Sequence, residues 1–139
     1  MSMSTRAQRT RRVLALQEQL HRVERWKLLD LQRRAAELDA QRRDLIAALN
    51  GDDALQGLFL DATARRLRSI AQEADAVGRE EQAQAVRVGE HAMRVACAAR
   101  LAQTVDRQVA REDEKRALLE VIDRVVGEAT PASRKIAAP

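Results

Sequence analysis

The chain has 139 residues, 33% of them charged, with 25 Lys and Arg against 21 Asp and Glu, a net charge of +4. One Trp, one Phe, no Tyr, five Gly and two Pro exclude the aromatic core and frequent turns that a sandwich, barrel or α/β domain of this length needs. No stretch approaches about 20 apolar residues, so no membrane span is expected; the composition describes long helices with a narrow apolar seam and little concave volume for an enzyme site.

The first helix is predicted from about residue 5 to about residue 50. Thr5 and Gln8 stand at capping-box spacing. Its acid-free start carries Arg6, Arg9, Arg11 and Arg12, which hold the whole +4 excess. A charge run of this kind is usually a solvated face. Its functional alternative is contact with an acidic protein surface. Without aromatic residues for base stacking it is a weak nucleic-acid signal, and no nucleic acid is expected.

Apolar residues then follow 3-4 spacing at Val13, Leu16, Leu20 and Val23. The pattern slips one residue at Trp26 and resumes as Leu28, Leu31, Ala35, Leu38, Leu45 and Leu49, with Arg42 in one slot. Such a slip reads as a stutter in a coiled coil.

Asn50-Gly51-Asp52-Asp53 marks a tight turn over 50–53. Asn50 and Gly51 suit a left-handed C-cap, and Asp53 with Gln56 suits the next capping box. The second helix is predicted over about 53–127, ending at Gly127 ahead of Pro131. Its seam runs Leu67, Ile70, Ala74, Val77, through Glu81 and Gln84 to Val88. After one extra residue it continues as Ala92, Val95, Ala99, Ala102, Val105 and Val109, then Leu119, Ile122 and Val126. Residues 128–139 lack periodicity and are expected to form a disordered tail. The predicted fold is all-α: a long two-helix antiparallel coiled-coil hairpin with unequal arms, as one domain over 1–127.

Eight acids precede an Arg by four residues, among them Glu18–Arg22, Asp39–Arg43 and Glu120–Arg124. That order supports an isolated helix by about 0.2–0.5 kcal/mol per pair. Folding the chain about Asp52 sets residue i against roughly residue 104 minus i. Val13 then meets the region of His91, and the second helix has no internal partner beyond about Leu101. Its overhang is apolar, with Val105, Val109, Leu118, Leu119, Ile122 and Val126. Such a stripe needs another surface: a second copy, giving a homodimer, or another protein. A fold-back near Gly78 or Gly89 is the third option.

No motif carries enzyme chemistry. Catalytic, cofactor and metal residues are all expected to be none, and the chain is read as a non-enzyme. Cys97 has no partner cysteine and lies among alanines, as a small packing residue does. His21 and His91 read as surface residues. The N-terminus lacks a signal-peptide pattern, so the expected location is cytoplasmic.

The stretch VLALQEQLHRVERWKLLDLQRRAAELDAQRRDLIAAL over 13–49, the tight turn, and the Glu112–Asp123 segment EDEKRALLEVID resemble, in pattern and size, the FliJ/YscO type of bacterial type III export protein. The resemblance covers most of the chain and involves no invariant signature. It implies a cytoplasmic stalk in the pore of a hexameric export ATPase, peripheral to the membrane, contacting the export gate and export chaperones. Arg6, Arg9, Arg11 and Arg12 with the apolar overhang would then form the end that enters the ring. The rival readings are a self-associating structural coiled coil and a basic nucleic-acid or membrane binder.

Overall fold

The computed structural model describes the backbone of residues 2–51 and 53–137, and side chains over 2–51 and 59–129. The chain is an all-α helical hairpin of two helices, α1 (Met3–Leu49) and α2 (Asp53–Ala137), of 47 and 85 residues. The unequal arms match the expectation. The predicted end of the second helix does not: α2 runs through Gly127 to Ala137, ten residues further. A Cβ at Gly127 would meet nothing within 4 Å, so no close contact there breaks the helix. The expected tail falls largely on side chains outside the described residues, as do Asp53 and Gln56.

Both caps differ from the sequence reading. Ser2, not Thr5, caps α1. Its hydroxyl accepts the Thr5 amide at 3.2 Å, and its carbonyl accepts the Arg6 amide at 3.1 Å. Ser2 Oγ also lies 2.8 Å from Thr5 Oγ1. This satisfies an amide that would otherwise lack an intrahelical partner. At the other end Gly51 is not left-handed, since no glycine among the described residues has positive φ. The helix closes by a tightened last turn, with Asn50 N donating to Ile46 O at 3.1 Å and Gly51 N to Ala48 O at 3.3 Å.

The chain packs as two compact units, Leu16–Val95 and Met1–Ala15 with Ala96–Pro139. In the Leu16–Val95 unit the core is Leu38, Ile70 and Val77, with Leu31, Ala35 and Leu45 against it. Ile70 is 1% exposed. Glu24 meets Gln84, and Leu38 packs in the cluster with Ile70, so residue i faces roughly 108 minus i. The expected register was about one helical turn short. Counting from the turn assumes pairing starts at once, but the half-buried positions of α2 begin only at Thr63 among the described residues.

The slip at Trp26 is corrected too. The covered face of α1 in this unit runs Gln17, His21, Glu24, Leu28, Leu31, Ala35, Leu38, Leu45 and Leu49, an unbroken 4-3 repeat whose one exposed slot is Arg42. Its first three members are polar. The more apolar Leu16, Leu20 and Val23 face outward, as does Trp26. On α2 the covered face runs Leu67, Ile70, Val77, Glu81, Gln84, Val88, His91 and Val95, again without an extra residue, and Ala92 is exposed. His21 and His91 are therefore half-buried seam residues, not surface ones. Neither Gly78 nor Gly89 interrupts α2.

In the other unit Ala7 and Thr10 of α1 are buried, as are Ala98, Ala102 and Val105 of α2, and Val109 is half-buried. Val13 is 43% exposed. Thr10 satisfies its buried hydroxyl by donating to the Ala7 carbonyl at 2.9 Å. Alanines at these positions let backbones approach closely but bury little area. Of the eight anticipated acid-to-Arg pairs, Asp39–Arg43 forms among the described residues, at 2.6 Å. Shorter i,i+3 pairs such as Asp30–Arg33, at 2.6 Å, take over elsewhere.

Candidate docking surfaces

The candidate residues divide by burial. Val105 is 1% exposed and belongs to the core, so its place on an open docking stripe is corrected. Val109 is half-buried. The internal partner of α2 reaches past Leu101: Arg11 Nη2 holds Asp106 Oδ1 at 3.1 Å. From Ala110 to Ala129 every residue of α2 is exposed. Leu118, Leu119, Ile122 and Val126 lie there, as do Val121 and Val125, all between 46 and 61% exposed.

The reason lies in the seam itself. The 4-3 repeat of α2 would continue at Glu112, Arg116, Leu119, Asp123 and Val126, where three of five residues are charged. Leu119 and Val126 stay on that repeat, but Leu118, Ile122 and Val125 form a separate stripe on another face. That stripe is visible in the sequence once the repeat is followed without a slip.

Arg6, Arg9, Arg11 and Arg12 are all exposed. Arg11 is committed to Asp106, while Arg6, Arg9 and Arg12 make no ion pair among the described residues. The same unit thus carries arginines without ion pairs on α1 and an exposed apolar stretch on α2.

A second surface was not anticipated. Leu16, Leu20 and Val23 are 53, 40 and 49% exposed. Trp26, 66% exposed, sits beside Leu29 in a shallow cleft whose walls are Arg22 and Arg25. Neither arginine makes an ion pair among the described residues. Read as a seam, this stripe concealed its exposure.

Among the described residues, Glu24 in the polar seam carries a lowered pKa. Gln84, 4% exposed, donates Nε2 to the Glu24 carbonyl at 2.9 Å and to the Glu24 carboxylate. Lys27 also holds that carboxylate, at 3.3 Å. Chiefly the Gln84 bond, then Lys27 and His91, lower the Glu24 pKa, against partial desolvation. Gln17 Oε1 and His91 Nδ1 are buried without hydrogen-bond partners. The register sets these two residues opposite each other.

Cys97 is exposed rather than packed. Among the described residues no cluster of His, Cys, Asp or Glu could hold a metal ion, and no helix is long and apolar enough to cross a membrane. No protein-family model, curated protein or solved structure matches the chain.

Proposed function

We propose that this chain is a coiled-coil docking protein without an active site of its own, acting as the stalk of a bacterial type III export apparatus. The observation that carries the reading is the bare end of α2. Residues 110–129 extend beyond the last covered seam positions with six large apolar side chains exposed. Apolar surface on that scale along one helix is disfavoured in water and is normally covered by a partner.

In this reading the α2 end and the free Arg6, Arg9 and Arg12 enter the pore of a hexameric export ATPase. The apolar side chains supply contact area, and the arginines meet acidic loops of the ring. Residues towards the Asn50–Asp53 turn contact the export gate and chaperones, on the cytoplasmic face of the membrane. Long helices with charged outer faces suit a partner that must contact several ring subunits without fixing on one.

The test is ATP turnover by a type III export ATPase with and without the protein. Replacing Arg6, Arg9 and Arg12 with Glu should abolish stimulation while helicity by circular dichroism is unchanged. Arg11 is left intact because its pair with Asp106 is internal. Unaltered stimulation by the triple variant removes the arginines from the contact, and no stimulation by the native chain removes the stalk reading.

A further inference from the structure

Two apolar stripes lie open, and they match. On α1, Leu16, Leu20 and Val23 repeat at four and three residues; on α2, Leu118, Ile122 and Val125 repeat at four and three. Each is an uncovered seam by the geometry that lets one helix pack along another. A helix covers one stripe with one neighbour. Within Leu16–Val95, α1 spends its neighbour on the Gln17–Leu49 face and leaves the Leu16–Val23 face bare.

The surroundings of the two stripes carry opposite charge. Residues 110–129 hold six carboxylates and four bases, whereas residues 11–29 hold five bases and two carboxylates. Of those bases Arg11 is held by Asp106 and Lys27 by Glu24, which leaves Arg12, Arg22 and Arg25 without ion pairs among the described residues, against one such carboxylate, Glu18. Pairing either stripe with its own kind sets like charges together; pairing one with the other does not.

We propose that the α2 end of one molecule docks on the Leu16–Val23 stripe of a second copy. Run antiparallel, the repeats set Leu16 against Val125, Leu20 against Ile122 and Val23 against Leu118, and bring Arg12 towards Glu128. The contact joins two different surfaces, so each docking leaves one stripe of either kind open and copies add in a row. It does not rest on the export reading, because its readout is mass in the absence of any ATPase.

Light scattering on the full chain, with Leu20→Glu and Ile122→Glu made separately, tests it. The native chain should associate with rising concentration. Each variant alone should associate on the order of 100-fold more weakly, because a glutamate lands in the apolar contact. Both residues are exposed, so helicity should be kept. The two variants mixed should associate again, since the intact α2 end of one meets the intact α1 stripe of the other. A native chain that stays monomeric overturns the proposal. So does full association by Leu20→Glu alone or by Ile122→Glu alone, which would mean that like stripes pair. A mixture that stays monomeric overturns it as well.

Discussion

Gln84 of α2 crosses the seam to donate to both the main-chain oxygen and the carboxylate of Glu24 on α1. This pair lies in the part of the seam that has least apolar area, among Gln17, His21 and His91. A polar layer in a coiled coil selects one alignment at some cost in stability.

Gln84→Leu should therefore destabilise the hairpin by about 1–3 kcal/mol, the usual cost when one partner of a buried hydrogen bond is removed. Replacing both residues, Glu24→Leu with Gln84→Leu, should recover that loss or exceed it, because an apolar layer needs no partners. Urea midpoints give the ordering. A double variant less stable than Gln84→Leu would mean that the layer contributes stability, not register.

The lowered Glu24 pKa sets a sign for pH. A carboxyl whose folded pKa lies below its ordinary 4.5 adds stability above that value. The contribution is lost as pH falls below 4.5 and through the lowered folded value. Glu24→Gln should remove this part of the acid dependence. Thermal midpoints of native and variant chains should converge as pH falls through that window; a constant gap would place the interaction elsewhere.

Burial separates core from docking surface along α2. Val105→Ala should cost about 1–2 kcal/mol, since the side chain is 1% exposed and its loss leaves a cavity. Ile122→Ala, at 46% exposure, should change monomer stability by less than about 0.5 kcal/mol. The two substitutions should reverse rank in any partner-binding measurement.

The hairpin was legible because long Pro-free stretches, the Asn50–Asp53 turn and 3-4 spacing all agree. The register and the outward faces were not. Val13, Leu16, Leu20 and Val23 are the best apolar 3-4 run near the start of α1, yet the covered positions in that region are Thr10, Leu14, Gln17, His21 and Glu24. A helix with two stripes offers two seams, and hydropathy alone picks the greasier one. The partner decides: an uninterrupted repeat that reaches Leu28, Leu38 and Leu45 passes only through the polar set. The register error, counting from Asp52 as if pairing began at the turn, extended the open stripe back to Val105, which the partner helix covers, and set Glu24 about a turn away from Gln84.

Gly78 and Gly89 give the sharpest check that α2 is one helix. Both lie in its interior, and a Cβ built at either meets nothing within 4 Å. Glycine in a helix interior costs about 0.5–1 kcal/mol relative to alanine, because its unfolded chain is freer. Gly89→Ala, on an exposed position, should therefore stabilise the protein by about that amount, and Gly78→Ala should do the same. Gly51 behaves differently. A Cβ there would stand 3.3 Å from the Ala48 carbonyl, but no left-handed backbone forbids it. Crowding then offsets the entropy gain, and Gly51→Ala should fall within about 0.5 kcal/mol of neutral. Thermal melts of the three single variants decide between this and a chain that folds back at Gly78 or Gly89. In a fold-back, alanine at the bend destabilises, so a lowered melting temperature for Gly78→Ala or Gly89→Ala is incompatible with a continuous α2.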